Sequence, residues 1–128
     1  MLLTAIGFNG NCRDAINFYK TALGAEVKQL STAGDDPENG GELPPDFIMY
    51  SEVSLFGATI VMSDGVDTPK GGFWLQVMLD TPQEVVDIFN KLADGGEVTD
   101  PPEPQFFAAM TANVKDRFGV EWNILTNH

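Results

Sequence analysis

The period of the apolar positions changes repeatedly along the chain. "LLTAIGF" (residues 2–8) reads as a strand, and the following "NCRDAINFYKTALG" sets Ala15, Phe18, Tyr19 and Ala22 at helical spacing. Asn11 is placed to cap that helix, and Gly24 stands where a left-handed C-terminal residue belongs. "AEVKQLS" predicts the next strand. "FIMYSEVSLF" and "ATIVMSD" then flank Gly57 as the two strands of a hairpin.

The second half writes the same order again. "FWLQVMLD" predicts a strand and "TPQEVVDIFNKLADGG" a helix, with Thr81 as cap, Pro82 at the first helical position and Glu84 closing a capping box. Its buried stripe is Val85, Ile88, Phe89 and Leu92. These lie 70 positions after Ala15, Phe18, Tyr19 and Ala22, so the two helices align without a gap. "GEVTD" predicts a short strand, "PPEP" a break, and "FFAAMTANVKD" a long strand opened by Phe106 and Phe107. That strand leads to the corner Phe118-Gly119 and to a last strand, "VEWNILT". Sliding Phe56-Gly57 onto Phe118-Gly119 aligns Val61 with Asn123 and Thr59 with Glu121. Each half is therefore one strand, one helix and three strands.

A βαβββ unit covers only one face of its sheet with a helix. Two units side by side predict an α+β fold in which a curved mixed sheet of about eight strands encloses a cavity, with the helices outside. Residues 1–128 then form one domain, built from modules 1–64 and 72–128. The concave face is the default small-molecule site.

Composition narrows the partners. At 128 residues and 43% hydrophobic content the chain suits one globular domain, and no apolar run approaches the roughly 18 residues of a membrane span. A formal charge of −12 repels phosphate backbones and anionic lipid, so neither nucleic acid nor a membrane is expected as partner. Part of that charge lies in "DDPENGGELPPD" (residues 35–46), which suits an exposed loop better than a regular element. The N-terminus lacks the basic segment of a secretory signal, and the lone Cys12 has no disulfide partner, which fits a cytoplasmic setting. Cys12 reads as a small buried apolar residue.

"AINFYKTALGAEV" after the first strand, "IVMSD" closing the first half and "DRFGVEWNI" closing the second resemble the vicinal-oxygen-chelate superfamily of glyoxalases, dioxygenases and bleomycin-resistance proteins. Within it the likeness is to the PhnB-like branch, often labelled as a demethylubiquinone methyltransferase, and it covers essentially the whole chain. The resemblance implies the paired glyoxalase-like fold, and two-fold dimers, sometimes with exchanged halves. Metal-using relatives take ligands from the first and last strands of each half. The alignments carry those positions onto Thr4, Trp74, Val61 and Asn123, none of them a good metal ligand. The only histidine, His128, ends the chain. No catalytic metal and no cofactor is expected. The alternative is a weak hard cation held by Glu121 with Gln76 and an outside ligand.

Alternation in the strands then sends Glu121 and Asn123 inward, with Thr59, Val61 and Ser63 as their counterparts. On the opposing strands Thr4, Ile6 and Phe8 pair by repeat with Trp74, Gln76 and Met78. The expected ligand contacts are Thr4, Ile6, Thr59, Val61, Ser63, Trp74, Gln76, Glu121 and Asn123, a lining that suits a small, partly aromatic or amphipathic organic molecule. Trp74 also reads as plain core, and Phe106 and Phe107 as a cavity end, a dimer contact or core.

No histidine is available to activate Ser63 or Cys12, so acid-base work falls to Glu121 or Asp64. The Gly-rich strand-to-helix turn of a nucleotide-binding α/β fold is missing, which counts against methyl transfer. The leading expectation is a metal-independent, homodimeric binder of a small organic molecule. The alternatives are an enzyme, either a metal-assisted lyase, isomerase or dioxygenase or a catalyst using Glu121 as base, and an interaction protein whose cavity is vestigial.

Overall fold

The computed structural model describes residues 1–65 and 72–128. Contacts divide the chain into two compact units, Met1–Thr68 and Pro69–His128. The first contains β1 (Thr4–Phe8), α1 (Cys12–Leu23), β2 (Glu26–Thr32), α2 (Pro37–Gly40), β3 (Ile48–Leu55) and β4 (Ala58–Asp64). The second contains β5 (Leu75–Leu79), α3 (Pro82–Ala93), β6 (Glu97–Gln105), β7 (Ala108–Lys115) and β8 (Glu121–Thr126). Each unit holds one mixed four-stranded sheet, in the orders β1-β4-β3-β2 and β5-β8-β7-β6. In both, the first strand runs parallel to the last, β1 to β4 and β5 to β8. The βαβββ duplication is therefore real, and the chain has the glyoxalase-like α+β architecture.

The two long helices are each 12 residues and lie 70 positions apart, as the gap-free alignment requires. The buried faces are Cys12, Ala15, Ile16 and Tyr19 on α1 and Val85, Phe89 and Leu92 on α3. Phe18, Ala22 and Ile88, expected in these stripes, are only half-buried.

The helix starts are held in different ways. On α3, Thr81 and Glu84 form the expected capping box, Thr81 Oγ1 accepting from Glu84 N at 3.2 Å and Glu84 Oε1 from Thr81 N at 3.1 Å. On α1, Asn11 occupies the cap position without a side-chain cap. Its role passes to Asp64 at the end of β4, whose Oδ1 accepts from Cys12 N at 2.9 Å while Oδ2 accepts from Ile48 N at 3.0 Å. In the second unit Pro82 has no N–H to satisfy. The residue corresponding to Asp64, Thr126, needs only the second bond and accepts from Met110 N at 3.2 Å.

Two sequence expectations are corrected. Residues 35–46 are not wholly irregular: a 3-10 turn with a Thr32–Asp35 capping box covers Ala33–Asp35, and α2 adds one helical turn. "PPEP" does not break a strand, since β6 runs through it to Gln105, and Phe106 and Phe107 lie in the turn before β7 instead of opening that strand. β6 is an edge strand, where a residue without N–H loses no ladder bond on its open side, and its pairing to β7 shifts register around Pro101, Pro102 and Pro104.

Cys12 is fully buried, and desolvation, with the Asp64 carboxylate adding to it, pushes its thiol pKa up to about 12. Thiolate is the reactive form. Native protein at pH 8 is expected to react with iodoacetamide on the order of 10³-fold more slowly than the urea-unfolded chain, read by intact mass over time.

Candidate functional site

In the second unit, the sheet face that carries Val77, Ile124, Ala112 and Val114 is buried. Period two sends the intervening residues to the other face. There Gln76 on β5 registers with Asn123 on β8, Asn123 with Asn113 on β7, and Asn113 with Asp100 on β6. One row of amides thus crosses the sheet and ends on a carboxylate.

The row is hydrogen-bonded in one direction. Asn123 Nδ2 donates to Asn113 Oδ1 at 2.8 Å, and Asn113 Nδ2 donates to Asp100 Oδ2 at 2.8 Å. Asn123 Nδ2 also meets Thr111 Oγ1 at 3.3 Å. Beside this row, Glu121 faces Lys115 across a loose 3.9 Å ion pair in which both side chains remain substantially exposed.

Above the row lies a cavity of about 560 Å³, lined among others by Asp100, Asn113, Glu121, Asn123 and the aromatic rings of Trp74 and Phe107. Trp74, at the entry to β5, is 57% exposed, whereas Trp122 is 2% exposed with its indole N–H bound to Asp116. The two tryptophans therefore have separate jobs: Trp122 packs the unit, and Trp74 offers a free aromatic face.

Of the expected second-half contacts, Trp74, Glu121 and Asn123 line this cavity, and Gln76 shares its sheet face. Met78 is also exposed. The first half departs from expectation. Val61 registers with Ala5, and Ser63 with Gly7, whereas Thr4 and Ile6 register with Ile60 and Met62 on the opposite face. Thr59, Val61 and Ser63 keep their common face, but Ile6, 5% exposed, and Phe8, 1% exposed, belong to the core of the first unit. The cause is a single residue. Residues 9–11 connect β1 to α1, but only 80–81 connect β5 to α3, so a 70-residue offset that is right for the helices is one short for the strands. Gly10, with φ +85, turns within the longer connection.

The observed registers also move the positions that the resemblance assigns to metal ligands, by one residue in the first unit and by two in the second. Ala5 replaces Thr4 beside Val61, and Gln76 replaces Trp74 beside Asn123. Ala5 and Val61 have no donor atom, and Gln76 and Asn123 are neutral amides. No group of three or more His, Cys, Asp or Glu side chains arranged to hold a metal ion occurs among the described residues. This donor set does not fit a divalent catalytic metal.

Asn113 and Asp100 were not singled out from the sequence. Asn113 had a signal, because it and Asn123 each stand five residues from Phe118 and so face one another across the hairpin. Asp100 had none, since the register shifts in β6 decide its place.

The family described as 3-demethylubiquinone-9 3-methyltransferase matches residues 1–125. The chain belongs to this family. Protein YjdN of Escherichia coli (strain K12) is 33% identical over 132 residues, covering 93% of this chain and 90% of that protein. The structure of the PhnB protein from Bacillus cereus superposes with a TM-score of 0.83 at 22% identity, over 98% of both chains. The fosfomycin resistance protein FosX from Listeria monocytogenes superposes with a TM-score of 0.69 at 12% identity, over all of this chain and 93% of that one. The PhnB-like family is thus set within the glyoxalase and vicinal-oxygen-chelate fold, and this member carries that fold in both units.

Proposed function

We propose that this PhnB-like protein is a metal-independent binder of a small organic molecule, which it holds in the cavity of the second unit. The observation that carries the reading is the cavity itself. Its volume of about 560 Å³ falls within the range of ligand sites. It combines aromatic surface with a few convergent polar groups, the usual composition of such sites. An interaction protein with a vestigial cavity would fill that face with side chains, yet Trp74 and Met78 stand exposed and Phe8 packs elsewhere. The family description names a methyl transfer, but two βαβββ sheets offer no doubly wound nucleotide fold to supply a methyl donor site.

The protein acts as a homodimer in the cytoplasm in this reading; its single cysteine, buried and held as a thiol, suits a reducing compartment. Light scattering at micromolar concentration is expected to give twice the chain mass, and a monomer mass would refute the dimer. A second reading, proton transfer by Glu121, is favoured by the single fact that its carboxylate lines the cavity.

The binding test uses a neutral aromatic probe, 1-naphthylmethanol, titrated into labelled protein while amide and indole signals are followed. Shifts are expected along β7 and β8 and at the Trp74 indole, with the Trp122 indole, bound to Asp116, moving less. Absence of any saturable shift, with this probe and with charged probes of the same shape, would reject the binding reading.

A further inference from the structure

We propose that the cavity selects an organic cation: an aromatic or amphipathic body bearing an ammonium, amidinium or guanidinium group with N–H donors. This rests on the binding reading above and names the ligand class.

Proton direction through the row of side chains decides what the cavity offers a ligand. Ionised Asp100 can only accept. Asn113 must therefore turn its Nδ2 toward Asp100, which it does at 2.8 Å, and this leaves Asn113 Oδ1 as an acceptor. Asn123 fills that acceptor with its own Nδ2 at 2.8 Å and also directs that group at Thr111 Oγ1 and at the Ala112 carbonyl, 3.4 Å away. The donor side of Asn123 is thus committed to the sheet. Its Oδ1 receives no hydrogen bond from any described residue, so what Asn123 offers a ligand is a carbonyl oxygen. A carboxylate on an edge strand has set the polarity of an amide two strands away.

The remaining polar walls agree. Gln105, the third amide lining the cavity, turns its Nε2 toward Glu103 at 3.0 Å. Among the described residues, Glu103, Asp100 and Glu121 supply three carboxylates against one neighbouring cation, Lys115, held only loosely at 3.9 Å from Glu121. An anionic ligand would face acceptors and like charge. A cationic one gains charge-assisted hydrogen bonds, and its body can lie against Trp74. The corresponding row in the first unit, Ala5, Val61, Glu52 and Gln29, has no amide beside its last strand and builds no such chain.

The test compares three probes of one shape by calorimetry in moderate salt: 1-naphthylmethylammonium, 1-naphthylmethanol and 1-naphthoate. The cation is expected to bind on the order of 10-fold or more tighter than the alcohol, and the naphthoate weakest. Asp100→Asn frees the row to reverse, and is expected to reduce the cation-to-alcohol ratio several-fold. Asp87→Asn, on the exposed side of α3, removes the same charge away from the cavity and should leave the ratio unchanged. Equal affinity for cation and alcohol, tighter naphthoate, or equal effects of the two variants would overturn the cation assignment while the binding reading stands. If none of the three probes binds, the binding reading falls and the cation assignment falls with it.

Discussion

Asp116→Ala is expected to destabilise the protein by about 3–5 kcal/mol, because it strands buried donors at the corner between β7 and β8. Asp116 is 3% exposed. Its Oδ1 accepts from Phe118 N at 2.9 Å and Val120 N at 3.1 Å, and its Oδ2 accepts from the Trp122 indole at 2.9 Å. Val120 and Trp122 are themselves buried, so water cannot replace the lost acceptor without opening the corner. Each orphaned buried donor costs about 1–3 kcal/mol, which sets the total. Asp116→Asn keeps one acceptor oxygen and should fall between. Trp122→Phe removes the indole donor, so in a double-mutant cycle the double variant should cost on the order of 1 kcal/mol less than the sum of the two single variants. Urea unfolding of the four proteins measures this, and an Asp116→Ala cost below about 1 kcal/mol would contradict the corner geometry. The consequence reaches the cavity, since the corner fixes where Glu121 and Asn123 stand on β8.

Much of the fold was legible because the chain repeats itself. Helix spacing, the Thr81 box and the two Phe-Gly corners each have local causes, and local causes survive folding unchanged. The site was legible only in part, since faces depend on parity and parity depends on loop length. One extra residue around Gly10 moved Thr4 and Ile6 to the other side of their sheet, although β1 itself lies where the sequence put it. Strand β6 shows the complementary failure: its prolines argue against a strand unless the strand lies at an edge, and sheet order cannot be read from one segment. Asp64 shows a third kind. Its two bonds join the end of β4 to Cys12 and Ile48, 52 and 16 residues away, so no local window contains them. Asn113 is different again, because symmetric counting about Phe118 would have found it.

Gly96→Ala is expected to cost about 2–4 kcal/mol, for a reason unrelated to glycine's freedom at positive φ. A Cβ built on Gly96 would lie 2.4 Å from the Lys115 carbonyl oxygen, 3.1 Å from Asp116 Cα and 3.1 Å from the Leu92 carbonyl oxygen. All three are backbone atoms, so no side chain can rotate aside. Gly96 N donates to Ala93 O at 2.9 Å as the chain leaves α3, and the next residue, Glu97, pairs with Lys115. The methyl must therefore push β6 off β7 or lift the end of α3. Gly57 supplies the contrast: its φ is +80 but nothing lies within 4 Å of its Cβ position. Gly57→Ala should cost only about 1–2 kcal/mol, the strain of a left-handed alanine. Urea midpoints of the two variants separate a steric origin from a dihedral one, and equal costs would reject the close approach at Gly96. The steric origin also predicts a local signature: amide exchange at Glu97 and Val98 should accelerate more than in β8. Because β6 carries Asp100, Gly96→Ala should also break the bond to Asn113, release the Asn123 amide to turn over, and lower the preference for a cationic probe even under conditions where the variant is fully folded.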